Sequence, residues 1–242
     1  MTKQRADRLL VARGLFESRA RAQAAIAAGL VRADGVRLRK ASEEISDAAA
    51  IEAEPAHPYV SRGGVKLAAA LDHFGLDVSG RACLDVGAST GGFTDVLLQR
   101  GARRVYAVDV GRGQLHASLR DEEKVIAIEA TDIRALDAAQ LAPHPDFAAI
   151  DVSFISLKLV VPAVEQLLTP RATLIALIKP QFEAGRGAVK KGIVRDAQIH
   201  AAVCAAIEEF LVARGWRVGG IIASPIAGGD GNREFLIEAQ RG

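Results

Sequence analysis

The sequence predicts an α/β chain, with a doubly wound, mostly parallel sheet preceded by a small α+β module. Three observations carry this expectation. Short apolar runs alternate with helical patterns from about residue 82 onward, as strands do when crossover helices join them. The first of these runs enters a glycine-rich bend, Gly87, Gly91 and Gly92, which opens a helix, and a doubly wound sheet makes its ligand crevice at such a place. Basic residues gather ahead of the sheet: residues 1–40 hold ten Lys or Arg against three Asp or Glu, net +7, so the remainder carries −5 within a total of +2.

In chain order, residues 6–13 read as a short helix stopped by Gly14. Ser18 is the expected N-cap of a helix over 19–28, which Gly29 ends. Residues 30–32 and 36–38 flank the Ala33-Asp34-Gly35 turn signal of a hairpin. The first domain is taken as 1–52. Residues 53–59, with Pro55 and Pro58, read as a linker. The second domain, 60–242, opens with a helix running from Ser61 to about Gly75. Strands are expected over 82–86, 104–109, 125–129, 147–152 and 173–178, followed by a helix over 196–213. Two last strands, 217–223 and 234–239, are close enough in sequence to pair antiparallel at one edge.

Composition excludes several classes. The longest stretch without a charged residue is 12 residues, 218–229, and it contains four glycines and a proline; a membrane-spanning helix needs roughly 18 apolar residues or more. The N-terminus lacks an apolar signal core, so a cytoplasmic protein without membrane contact is expected. Cys83 and Cys204 are far apart and no Cys/His spacing suggests a metal. A monomer is the simplest expectation.

The bend lacks the Gly-x-Gly-x-x-Gly spacing of dinucleotide sites, which argues against a nicotinamide cofactor. Asp85 inside the strand end suits a cationic ammonium, and the Gly-Gly bend suits a ligand without phosphates. S-adenosylmethionine meets both conditions. Its pocket is expected from Asp85, Gly87, Ala88, Ser89, Gly91, Gly92 and Phe93, then Asp109 with Val110 for the ribose, then Asp132 with Ile133 for the adenine. Acids at these places also cap helices and turns.

Two further strand ends carry polar groups. Asp151 ends the fourth strand of the sheet and Lys179 the fifth, and a lysine ending a buried strand needs a partner. The pair is structural or, beside a methyl donor, able to activate an alcohol. Lys66, in the second domain's first helix, and Glu234, near the start of the last strand, are candidates to complete the group. Phe154 and Phe182 could stack on a base but are expected in the core. The Gly185–Gly192 segment reads as a mobile basic loop that closes over RNA, or as a merely solvated one.

Resemblance narrows these readings. The string RADRLLVARGLFESRARAQAAIAAGLVRADG at 5–35 resembles the S4-like RNA-binding fold over about residues 4–50. That implies RNA contacts from Arg5, Arg8, Arg19, Arg21, Arg37 and Lys40, where a solvated arginine face was the alternative. Arg62, Lys190 and Lys191 are expected to extend them. LDVGASTGGF at 84–93, with Lys66, Asp151, Lys179 and Glu234 in order, resembles the FtsJ-like ribose 2′-O-methyltransferases. YVSRGGVKL at 59–67, DVSFIS at 151–156, IKPQFE at 178–183 and NREF at 232–235 are similar to the haemolysin A (TlyA) family of rRNA cytidine 2′-O-methyltransferases along nearly the whole chain. The resemblance implies a Rossmann-like class I methyltransferase sheet, S-adenosylmethionine as cofactor, ribosomal RNA or ribosomal subunits as partner, and a Lys-Asp-Lys-Glu tetrad with Lys179 nearest the proton. One departure is His57-Pro58-Tyr59-Val60, where some members carry a Trp-containing tetrapeptide. An inert RNA-binding assembly factor and a pore-forming haemolysin are the other readings.

Overall fold

The computed structural model describes residues 2–185, 189, 192–228 and 231–242. Contacts divide the chain into two compact units, Met1–Pro58 and Tyr59–Gly242.

The first unit contains β1 (Lys3–Arg5), α1 (Ala6–Ala12), α2 (Arg19–Ala28), β2 (Val31–Ala33), β3 (Val36–Arg37), β4 (Glu44–Ser46) and β5 (Ile51–Ala53). Ser18 caps α2 by accepting the Arg21 N–H at 3.3 Å, and Gly29, at φ +76°, ends it in the left-handed region that favours glycine. Asp34 and Gly35 both take positive φ, which turns β2 into β3. β5 pairs with the other side of β2, so the segment expected as a linker from residue 53 starts later. β1 and β4 form a separate two-stranded ladder. Leu10, Phe16, Ile26 and Val31 are central to the small core.

The second unit contains α3 (Gly63–Phe74), β6 (Ala82–Val86), α4 (Gly92–Gln99), β7 (Arg104–Val108), α5 (Ala117–Arg120), β8 (Val125–Ile128), β9 (Phe147–Ile150), α6 (Leu157–Leu167), β10 (Ala172–Ile178), α7 (Pro180–Glu183), α8 (Ala197–Ala213), β11 (Arg217–Ala223) and β12 (Phe235–Arg241). Its seven strands run in the order β11-β12-β10-β9-β6-β7-β8. Only β12 opposes its neighbours, and it lies one place in from the edge strand β11. Alternate residues of the central strands face opposite layers, because side chains alternate along a strand. Cys83, Val105, Phe147 and Ile175 pack with Leu67 and Leu71 of α3 and Val96 and Leu97 of α4. Leu84, Tyr106, Ala148 and Leu174 pack with Val160 and Val164 of α6 and Ile207 of α8. Strand order reverses between β6 and β9, which opens a crevice beyond their carboxyl ends.

Candidate active site

The crevice is shaped by what the glycines lack. Gly87, at φ +86°, lies so close to β9 that a Cβ would sit 2.3 Å from the Asp151 carbonyl oxygen. A Cβ on Gly92 would come within 2.2 Å of Ser61 Oγ and 2.9 Å of the Gly64 nitrogen, so its absence lets the start of α3 lie against the start of α4. This close approach brings Lys66 to the crevice wall. Two adjoining cavities result, about 240 and 410 Å³ in volume, with Gly87, Ser89 and Asp151 lining both. The smaller is bounded by Ser61, Arg62, Lys66, Ala88, Gly92 and Phe93, and the larger by Asp109, Val110, Asp132, Ile133, Ser153 and Phe154.

The four tetrad candidates form two ion pairs. Lys66 Nζ donates to Glu234 Oε2 at 2.6 Å; the lysine is 8% exposed and the glutamate 3%. Lys179 Nζ lies 2.6 Å from Asp151 Oδ1 and donates to Ser153 Oγ at 2.9 Å. Burying two lysines is tolerable because each charge has an opposite one in contact. Asp151 borders both cavities, and Lys66 borders the smaller one. Glu234 lies just ahead of β12 rather than within it.

The expected cofactor residues divide into lining and support. Asp109 accepts the Ser89 N–H at 2.8 Å and the Gly111 N–H at 2.6 Å, so it braces both loops while bordering the larger cavity. Asp85 does not line the crevice. It is fully buried and accepts the Thr94 hydroxyl at 2.6 Å, while its Oδ1 has no hydrogen-bond partner. Burial pushes its carboxyl up to about 7, with the Asp151 charge adding to the shift. The expectation of a direct ammonium contact is therefore corrected to a role behind the wall. Gly91 is likewise a packing position, since a Cβ there would meet Leu119 and Leu115. Asp132 borders the cavity, but Arg134 binds both its oxygens at 2.6–3.2 Å, and it caps the 3-10 turn after it. That guanidinium holds its carboxyl down at about 2. The adenine amine would have to compete with Arg134.

Phe154 overturns its expectation most clearly. It is 90% exposed at φ +64°, with its ring 5.0 Å from that of Phe182. A strained, exposed aromatic residue beside a crevice is not core. Among the basic residues expected to face RNA, Arg5 and Arg19 are engaged by an acid of their own unit while their side chains stay partly exposed. Both bind Asp7, which is fully buried and whose carboxyl is held well below its usual range, chiefly by Arg5. An acid sealed into the first turn of α1 needs those partners. Arg21 pairs with Glu17 at 3.3 Å. Arg8, Arg37, Lys40 and Arg62 are exposed. Lys190 and Lys191, with most of the expected mobile loop, lie outside the described residues.

Sequence reasoning missed Ser153, whose partner lies 26 residues on, and Thr94, whose hydroxyl meets Asp85 across the glycine bend. It also missed Glu129, which accepts the Gly113, Gln114 and Leu115 N–H groups at 2.8–3.2 Å and fixes the loop after β7.

The FtsJ-like methyltransferase family model matches residues 59–241, and the S4 domain model matches 4–50. The 16S/23S rRNA (cytidine-2′-O)-methyltransferase TlyA of Mycobacterium tuberculosis is 43% identical over 238 residues, covering 97% of this chain and 89% of that protein. A solved structure from Streptococcus thermophilus, of a protein provisionally named a hemolysin, is 45% identical with a TM-score of 0.78 over all of this chain and 89% of the other. A Listeria monocytogenes structure of a protein provisionally named an S-adenosylmethionine-dependent methyltransferase, 14% identical, matches over 74% of this chain and 98% of that one with a TM-score of 0.57, a likeness of fold alone.

Proposed function

Because the chain belongs to the FtsJ-like methyltransferase family and carries an S4 domain ahead of it, we propose that it methylates the 2′-hydroxyl of a cytidine ribose in ribosomal RNA, using S-adenosylmethionine. The observation that carries this reading is the pair of lysine–carboxylate contacts at one crevice, Lys66–Glu234 and Lys179–Asp151. An alcohol is a poor nucleophile until its proton has somewhere to go.

The residues present fit the cofactor. The absence of side chains at Gly87 and Gly92 leaves a cradle, and the larger cavity offers the Asp109 carboxylate between apolar Val110 and Ile133. When bound, S-adenosylmethionine supplies an electrophilic methyl group on a sulfonium. Lys179, as the neutral amine, takes the hydroxyl proton as the methyl group passes from the sulfonium to the ribose oxygen, Asp151 compensates the ammonium that results, and Lys66 with Glu234 positions the ribose. Positioned proton acceptance of this kind contributes on the order of 10²–10⁴ in rate. Exposed Phe154 stacks on the target base, a contact worth about 1–3 kcal/mol. Arg8, Arg37, Lys40 and Arg62 hold the phosphate backbone. Ribosomes place the reaction in the cytoplasm, and no helix among the described residues is long and apolar enough to cross a membrane.

The test is transfer of a labelled methyl group to undermethylated ribosomal subunits and to naked ribosomal RNA. Incorporation by the wild-type chain is expected. Cofactor binding without incorporation into either substrate would instead support an RNA-binding assembly factor.

A further inference from the structure

Lys179 has two polar partners among the described residues, and they differ in kind. Asp151 Oδ1 lies 2.6 Å away and carries the charge; Ser153 Oγ, 2.9 Å away, is neutral and receives a directed hydrogen bond. The Asp151 oxygen meets no hydrogen-bond alignment, so its contact is set by charge and distance while Ser153 sets direction. Both acceptors come from the segment immediately after β9, two residues apart, and both border the larger cavity. Lys179 stands behind them, only 9% exposed.

A tetrahedral nitrogen bonded to Cε has three remaining directions. Ser153 takes one of them by a directed hydrogen bond, while Asp151 holds the nitrogen by charge without occupying a hydrogen-bond direction. We infer that Ser153 is a positioning residue for methyl transfer: its hydroxyl, with Asp151, fixes the direction in which Lys179 meets the substrate proton. The inference rests on the proposed ribose methylation. Asp151 alone would hold the lysine near, but rotation about the Cε–Nζ bond and neighbouring torsions would leave its open direction free to swing. Proximity without orientation forfeits much of the advantage of an enclosed site. The other charged groups at this site, Lys66 and Glu234, are paired with each other, and Glu183 of α7 is occupied by Ser156 Oγ and the Leu157 N–H. None of them replaces Ser153 as an acceptor for Lys179.

The experiment compares wild type, Ser153→Ala, Ser153→Thr and Lys179→Ala in steady-state methyl transfer to undermethylated subunits, with thermal unfolding and cofactor affinity measured alongside. Ser153→Ala is expected to lower kcat roughly 10–100-fold, the value of a hydrogen bond to a charged group, with KM for both substrates within about twofold of wild type. Ser153→Thr, which keeps the hydroxyl, restores most of the loss. Ser153 is exposed, so the melting temperature is expected to stay unchanged. Undiminished kcat in Ser153→Ala, or an equal loss in Ser153→Thr, overturns the inference while the enzyme stands. No transfer by wild type overturns the proposed function and this inference together.

Discussion

Lys66 and Glu234 lie buried in contact, 2.6 Å apart, so each is the other's counter-charge. Lys66→Ala leaves the Glu234 carboxylate without its partner and is expected to cost about 3–5 kcal/mol of stability. The double change Lys66→Met with Glu234→Gln removes both charges; denaturant unfolding is expected to show most of that loss recovered while methyl transfer remains abolished. Recovery of activity with stability would make the pair merely structural. Asp85 offers a second test. Burial pushes its folded carboxyl up to about 7, above the ordinary carboxylate range, so between the unfolded and folded values the folded state binds a proton that the unfolded chain has lost. Stability is therefore expected to fall as pH rises through that window and to level off above it. Asp85→Asn cannot titrate, and a calorimetric series across the window is expected to show a flatter slope. An unchanged slope would assign the dependence to other groups. Lys66, Asp151, Lys179 and Glu234 were legible because charge at the end of an apolar strand or on a packed helix needs a reason. Asp85 was legible as important but misplaced, since spacing does not say whether a strand-end acid faces the crevice or lies behind it. Ser153 and Phe154 were missed or misassigned because exposure depends on a loop whose φ no pattern reveals.

At the scale of elements, Gly87 joins the chemistry to the sheet. Gly87→Ala would meet both an unfavourable φ and the Asp151 carbonyl, and the strain would move the very segment that holds Asp151 and Ser153. Methyl transfer is expected to fall by at least tenfold, the order of loss when reacting groups are misplaced by a fraction of an ångström to an ångström. Calorimetric titration with S-adenosylmethionine would show weakened binding as well, and normal kinetics would contradict the proposed role of this contact. The long elements were legible because their signals are local. Ser18 and Gly29 bracket α2, Asp196 caps α8, and β6 and β10 are buried along their whole length and apolar apart from Asp85 and Thr173. β1, β4 and β5 were not, being three residues each and existing only through partners distant in sequence. β12 enters beside β10 rather than at the sheet edge for the same reason: pairing order is a tertiary choice.

Across the whole molecule, charge is divided between the N-terminal forty residues and the rest, and the proposed division of labour follows it. Replacing Arg8, Arg37 and Lys40 with alanine is expected to weaken binding to ribosomal RNA and to reduce the salt slope by about one unit per lost phosphate contact. S-adenosylmethionine affinity should not change, and an unaltered salt slope would remove these residues from the RNA surface. The most direct test of the account is the position of the methyl group. Ribosomal RNA treated with the wild-type chain and labelled S-adenosylmethionine would be digested with alkali, which cleaves next to a free 2′-hydroxyl and spares a methylated one. The account predicts label in an alkali-resistant dinucleotide whose first residue is a cytidine, and its loss with Lys179→Ala. Label released in a mononucleotide would put the methyl group on a base and contradict the proposed reaction.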